Sequence, residues 1–222
     1  MFVIGKRPAP PPDLAETLKK LRSLTTGTLG HLTDFGYANG LQPLVRPSKA
    51  VGVAFTVKIP GLDGTALHQA LSLVEPGEFL VVDTAGQRSR AMWGGIVSHA
   101  AVRAGVVGIA VDSPIVDWTE IVELGLPVWC AGGTTSTTGR RLGLEGQIQV
   151  PVQVGGAVVN PGDVVFADSD GLYFIAAADA ADVAERVATR EAREPGIKKR
   201  LDAGEKLADI SGAAELFNKL TT

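Results

Sequence analysis

The chain is poor in the residues that mark several common protein classes. It has a single cysteine, Cys130, in 222 residues. An internal disulfide is excluded, and a reducing compartment is compatible with this composition. Its three histidines, His31, His68 and His99, form no pair with zinc-site spacing, and Cys130 has no evident histidine partner. There is no surplus of positive charge. Lys and Arg number 21 against 24 Asp and Glu, a net charge of −3, so no basic field exists to drive phosphate-backbone binding and no nucleic-acid partner is expected. No apolar run approaches the roughly 20 residues of a membrane span. Met1 to Ile4 is apolar but gives way at once to charge and prolines, unlike a signal peptide. No membrane partner and a cytoplasmic location are therefore expected.

What is present is an ordinary globular composition, 45% hydrophobic, on a length that suits one domain with a sizeable core. Pro8 to Pro12 ends a stiff extended lead-in, residues 1–12. Asp13, with Glu16 three residues on, reads as a capping box opening a helix to about Leu24, with Leu14, Leu18 and Leu21 on its apolar face. A second short helix is expected between Thr25 and Asn39. Strand runs at 51–57, 79–83, 106–112 and 127–130 alternate with helical segments at 63–74, 94–104 and 117–124. That alternation predicts βαβ units and an α/β fold with a central, mostly parallel sheet. The pattern then turns to hairpins. Residues 148–154 and 157–159 flank Gly155-Gly156, and 164–167 and 172–176 flank the turn Asp168 to Gly171. Charged, alanine-rich helices close the chain from about residue 178.

One stretch carries chemistry. Trp93-Gly94-Gly95-Ile96-Val97 reads as a glycine turn opening a helix, and the chain then runs through a buried strand to Val116-Asp117. The N–H groups of Gly94, Gly95, Ile96 and Val97, at a helix N-terminus, suit a carboxylate. Asp117, delivered from the next strand, suits a hard divalent cation, or could simply cap its own helix. Together they suggest a site for a small oxo-acid.

Gly95, then twenty residues, then Val116-Asp117 with Glu120 just beyond, resembles the signature of the family that contains the class II pyruvate aldolases acting on 4-hydroxy-4-methyl-2-oxoglutarate and the regulator of ribonuclease activity A. That signature has Arg-Asp where this chain has Val-Asp. Stretches 51–57, 66–71, 125–129, 161–168 and 200–205 resemble the family in the same order. The resemblance implies a three-layer β/β/α swivelling domain over 1–222, assembled as a homotrimer or a dimer of trimers with sites between subunits. The tail, 178–222, is expected to pack on a neighbouring subunit. It further implies that the glycine turn binds pyruvate. By the same resemblance, Asp117 is the one direct protein ligand of Mg²⁺ or Mn²⁺, with waters filling the rest. Glu120, and a glutamate of a neighbour's C-terminal region (Glu194, or Glu191), would bond those waters. Pro195-Gly196 is expected to break the helix at that point.

Val116 is the departure. The family arginine contacts the substrate oxo group and stabilises the enolate, and valine has no donor to offer. Losing such a donor costs roughly a hundred- to a thousandfold in rate. Ser113-Pro114 is a second departure, and Pro114 stiffens the loop presenting Asp117. Arg90, beside Trp93, is the expected replacement cation. Arg88, Arg103, Arg140 and Arg141 read as surface charge. His99, on the first turns of the site helix, is a candidate general base, kept neutral by the helix-end potential. His68 reads as structural. The hydroxyl-rich run Thr134 to Thr138 reads as ordinary loop chemistry.

Three functions fit these readings. The first is a metal-dependent lyase on a small 2-oxo acid, by retro-aldol cleavage or oxaloacetate-type decarboxylation, with Asp117, His99 and Arg90 in catalysis. The second is an isomerase, dehydratase or cyclase in the same cleft, with His99 or Asp112 as base. The third is a non-catalytic protein-binding regulator. The first is the reading adopted.

Overall fold

The structure is a computed structural model that describes residues 1–138 and 141–221. In chain order the elements are β1 (Phe2–Ile4), α1 (Leu14–Leu21), α2 (Thr26–Leu29), β2 (Gln42–Pro43), β3 (Lys49–Lys58), α3 (Thr65–Ala70) and β4 (Glu78–Asp83). There follow α4 (Gly95–Arg103), β5 (Gly108–Val111), α5 (Trp118–Glu123), β6 (Val128–Cys130), β7 (Gly146–Ile148), β8 (Val152–Val154), β9 (Ala157–Val159), β10 (Val164–Asp168) and β11 (Leu172–Ile175). Helices α6 (Ala180–Glu191), α7 (Glu194–Asp202), α8 (Leu207–Ser211) and α9 (Ala213–Leu220) end the chain.

The middle of the sheet is four parallel strands, β3-β4-β5-β6. Antiparallel neighbours β10 and β7 pair with β3, and β2 pairs with β6. Strand alternation explains the layers. The register sets Phe55, Leu80, Ile109 and Val128 in one row across the sheet and Val57, Val82, Val111 and Cys130 in the next. All eight face the helices, packing with Ala66 and Leu67 of α3, Ala101 of α4 and Ile121 of α5. The intervening residues Phe79, Val81, Ala110 and Trp129 face the other way, onto Val152, Val154 and Val159 of the β8–β9 hairpin. The result is a hairpin layer, a sheet and a helix layer, as expected from the sequence. Burying one such side chain contributes about 1.5–3 kcal/mol. A third apolar cluster sets α1, α2 and α6 against β3, β10 and β11.

Local expectations need several corrections. Asp13 occupies the N-cap position of α1 but its side chain makes no cap bond, so the capping box does not form. The predicted strand over 148–154 is two strands. Gln149 takes a left-handed φ of 56°, which turns the chain from β7 in the main sheet to β8 in the hairpin layer. Strands β1 and β2 carry no alternating pattern and had no sequence signal. Pro195-Gly196 do not end a helix; they lie in the first turn of α7, where proline's missing N–H is harmless. Helices α7, α8 and α9 bury none of their residues within the chain.

Candidate active site

Strands β4, β5 and β6 end together, and the segments leaving their carboxyl ends build the site. This is where open parallel sheets place ligands. Isolated bridges lace the segments together, Trp93 to Ile115 and Ile115 to Gly133. The Val116 N–H donates to the Trp93 carbonyl at 3.0 Å. Behind the glycine turn, the buried Trp93 indole N–H donates to Ser98 Oγ at 2.6 Å, and Ser98 Oγ donates to the Gly94 carbonyl at 2.8 Å. Ser98 thus braces the turn, a role that its place inside an apolar helix pattern did not reveal.

The pairing that the sequence suggested is present. The Gly95 N–H donates to Asp117 Oδ2 at 2.9 Å. Asp117 adopts a left-handed conformation, φ 59° and ψ 40°, and its side chain does not cap α5. Asp tolerates this region better than most residues, yet it still stores about 1–3 kcal/mol of strain. The turn aims the carboxylate at Gly95 instead of at its own helix. A Cβ at Gly94 would come within 2.9 Å of both Asp117 Oδ2 and Val116 Cγ1. A Cβ at Gly95 would land on the Glu120 carboxylate, well inside contact distance. Gly94 is therefore closely approached by Asp117 and Val116, Gly95 only by the movable end of Glu120, and two carboxylates converge on the turn. The anion cradle is accordingly partly filled by the chain itself: Asp117 takes the Gly95 amide, leaving the first-turn N–H groups of Ile96 and Val97 for a ligand.

In front of this wall lies a cleft of about 260 Å³. Gly94, Gly95, Ile96, Val97, Val116 and Asp117 form one side, and His68, Thr137, Thr138 and Arg141 contribute to the rest. Two expectations change here. His68, read as structural, lines the cleft, and burial followed by the nearby Arg141 charge pushes its pKa below the usual histidine value. Arg141, read as surface charge, is a cation of the cleft lining, whereas Arg90 is not part of that lining. The Arg90 guanidinium instead donates to the Thr137 carbonyl at 3.4 Å. Apart from its hydroxyls, the loop signal that could have pointed to this wall was the polarity of 134–141. Arg140 lies outside the described residues.

His99 is exposed and is not among the residues lining the cleft. The α4 turn that buries Ser98 leaves the next side chain in solvent, so a base at His99 is not supported. Glu120 is exposed beside Gly95. Glu194 is exposed at the start of α7, 3.3 Å from Lys198 Nζ, and Glu191 accepts bonds from the Thr25 N–H and hydroxyl at 2.7 and 2.8 Å. Neither meets the cleft of its own chain. Asp112 is buried and accepts from the Thr84 N–H and hydroxyl at 2.8 and 2.6 Å. Burial is the largest influence on it and raises its pKa. It is a structural staple outside the cleft. Burial likewise raises the Cys130 thiol, which suits an inert core residue.

The donors offered to a cation are hard oxygens, Asp117 first and Glu120 beside it. No group of three or more His, Cys, Asp or Glu side chains gathers among the described residues. One or two carboxylates with the remaining positions left to water is how Mg²⁺ or Mn²⁺ is commonly held, so the residues present fit such an ion. The fold and site define a three-layer α/β protein with a glycine turn facing an aspartate at the strand ends.

Comparison with known proteins makes that class specific. The model of the RraA-like family, described as Aldolase/RraA, matches residues 14–173, and the chain belongs to this family. A Halalkalibacterium halodurans protein named "Putative 4-hydroxy-4-methyl-2-oxoglutarate aldolase" is 30% identical over 200 residues, 88% of each chain. The crystal structure of Streptomyces coelicolor RraAS2, titled an unusual member of the RNase ES inhibitor RraA protein family, superposes with a TM-score of 0.72. It is 28% identical, covering 88% of this chain and 98% of that one. An uncharacterized Pseudomonas syringae protein shares the fold, with a TM-score of 0.79 at 23% identity over 94% of this chain and 98% of that one. Among the described residues no helix is long and apolar enough to cross a membrane.

Proposed function

We propose that the chain is a divalent-metal-assisted carbon–carbon lyase acting on a small 2-oxo acid. The observation that supports this reading is the 2.9 Å contact between the Gly95 N–H and Asp117, with the glycine turn and that carboxylate lining one cleft. The amides of Ile96 and Val97 would take the C1 carboxylate. Asp117 would hold Mg²⁺ or Mn²⁺, with Glu120 bonding its waters. When bound, such an ion supplies Lewis acidity at the C2 oxo group. Cleavage of the C3–C4 bond, with loss of CO₂ or an oxo compound, leaves its electron pair on C3, delocalised onto the C2 oxygen as an enolate. In the aldol case the C4 hydroxyl gives up its proton as the bond breaks and becomes the carbonyl of the departing oxo compound; in either case a proton delivered to C3 completes pyruvate. The relative named as an aldolase supports this class of chemistry.

Val116 supplies no donor to the enolate, and Arg141 is the cation of the cleft that could share that charge. His68, held toward its neutral form, is better placed than His99 to move the proton. We further take the working unit to be a homotrimer or dimer of trimers in the cytoplasm. Ile96, Trp118 and Val122 are exposed beside Asp117, an apolar rim that a neighbouring copy would cover, its tail bringing Glu194 to the metal waters.

The test is pyruvate release from oxaloacetate with MnCl₂, read against a buffer-plus-metal blank, for the wild type and Val116→Arg. Turnover above the blank that rises about tenfold or more in Val116→Arg is expected, less than the roughly hundredfold or more that a fully preorganised oxyanion donor supplies. No turnover in either protein, with Mn²⁺ still bound, would overturn the lyase reading. Light scattering on the same samples reports the assembly.

A further inference from the structure

The carboxylate of Asp63 makes more hydrogen bonds than any role in capping α3 requires. Its Oδ1 accepts from the Thr65 N–H at 3.0 Å and the Thr65 hydroxyl at 2.6 Å, at the start of α3. The same oxygen accepts from the Leu142 N–H at 3.0 Å, and Oδ2 accepts from the Leu144 N–H at 2.7 Å. The Thr65 hydroxyl in turn accepts from the Gly143 N–H at 3.2 Å, and the Thr138 hydroxyl donates to the Leu62 carbonyl at 2.8 Å. Asp63 itself is 1% exposed. One buried carboxylate therefore ties the beginning of the helix that carries His68 to the segment immediately following Arg141.

We infer that Asp63 is the positioning residue of the cleft's basic wall, fixing Arg141 and His68 relative to each other and to the glycine turn. This deepens the oxo-acid reading and rests on it for its functional meaning. The geometry leaves few alternatives for the segment 142–144. Leu142 and Leu144 are exposed, so no apolar packing anchors the chain there. Its backbone is held by three N–H groups donating to Asp63 and to the hydroxyl that Asp63 orients, with one further bond from the Met1 amino group to the Leu144 carbonyl at 3.2 Å. Bonds to an ionised acceptor are the strong class of hydrogen bond, about twice a neutral one. That anchor sets where the backbone leaving Arg141 lies.

The experiment uses the full-length chain and a double-mutant cycle, because coupling is the quantity that separates positioning from general stability. The proteins are wild type, Asp63→Asn, Arg141→Gln and the double variant, with Asp63→Ala as a stronger lesion. Asp63→Asn keeps size and one acceptor but loses a charge-assisted bond to the strap. The first readout is the His68 titration by NMR. In the wild-type background Arg141→Gln raises the His68 pKa by removing a like charge. In the Asp63→Asn background the same substitution moves it less than half as far, because the backbone next to Arg141 has lost the bonds that set its distance from His68. The direct effect of the Asp63 charge cancels in this cycle. The second readout is the affinity for oxalate, a planar dianion resembling the enolate, in MnCl₂. Arg141→Gln and Asp63→Asn each weaken it, about tenfold and about fivefold, and the double variant is no weaker than Arg141→Gln alone. Equal His68 shifts in the two backgrounds, or multiplicative losses of oxalate affinity, would overturn the inference. Failure of the wild type to bind oxalate would remove the oxo-acid reading, while the His68 cycle still decides the positioning role.

Discussion

The two walls of the cleft are built by different physics. The acidic wall, with Gly95 and Asp117 and with Glu120 behind the turn, hangs on the ends of adjacent parallel strands. Its geometry follows from sheet order, a glycine turn and one left-handed aspartate. The basic wall, with His68 and Arg141, is joined across the chain: Asp63 and Leu144 are 81 positions apart and meet through hydrogen bonds alone. The first wall is set by the rigid core, the second by a polar staple at its edge. Substitutions should therefore affect chemistry on the first wall and placement on the second.

The largest expected effect tests the acidic wall. Asp117→Ala removes the carboxylate that, among the described residues, both bonds the turn and lines the cleft. Loss of an outer partner of a metal site typically reduces affinity 10- to 100-fold, so loss of the direct ligand should exceed about a hundredfold in Mn²⁺-dependent turnover. It also increases the left-handed strain, because alanine tolerates that region less well than aspartate, and it removes the bond to the Gly95 N–H, so stability should fall by about 1–2 kcal/mol. Metal titration followed by calorimetry checks both. Retained metal stimulation would show that the acidic wall is not a metal site.

A subtler lesion on the same wall is Gly95→Ala. Gly95 has no positive φ, and alanine in a helix is favoured over glycine by up to about 1 kcal/mol. The new methyl group would displace only the flexible end of Glu120. The expected result is an equal or higher melting temperature with turnover about tenfold lower. Glu120→Gln should reproduce that loss without adding to it. Additive losses would mean that Glu120 and the turn act separately.

On the basic wall, the effect of pH on stability exposes the staple. Burial alone would raise the Asp63 carboxyl, but the bonds from Thr65, Leu144 and Leu142 outweigh it and hold its pKa far below the usual 3.8. A carboxylate depressed on folding stabilises the native state fully above its unfolded pKa, and that stabilisation is lost as pH falls below it toward the folded value. Asp63→Asn should therefore melt lower than wild type by a constant margin between about pH 5 and 8, reflecting about 2 kcal/mol. The margin should narrow toward pH 3. A margin independent of pH down to that point would deny the staple its ionised form.

How far the sequence led follows the same division. Apolar runs such as 79–83, 106–112 and 127–130, alternating with helical segments, announce the parallel sheet and the points where its strands end, while the layers followed from the family resemblance. The spacing from Gly95 to Asp117 spans one helix and one strand, so its partners are fixed by local rules. No such rule connects residue 63 to 144, because a long loop returning over a helix leaves no periodic trace. The same reason hid Arg141 and His68 and directed attention to Arg90, which is near the turn in sequence but bonds the Thr137 carbonyl in space. Ser98 was hidden differently: its hydroxyl satisfies the Trp93 indole inside a helix, where serine usually signals nothing.

The smallest expected effect is also the sharpest check on that division, since it compares neighbours one residue apart. Ser98 is fully buried against the turn, whereas His99 projects into solvent. His99→Gln should leave turnover within about twofold and stability within about 0.5 kcal/mol, the usual range for a surface position. Ser98→Ala removes an acceptor from a buried indole N–H and a donor from the Gly94 carbonyl, which should cost about 1–3 kcal/mol and loosen the turn that Asp117 meets. His68→Gln should lower turnover while leaving the melting temperature close to wild type. A loss in His99→Gln matching that of His68→Gln would mean that α4 presents its other face to substrate. In that case the cleft between Gly95 and Arg141 would not be where the reaction occurs.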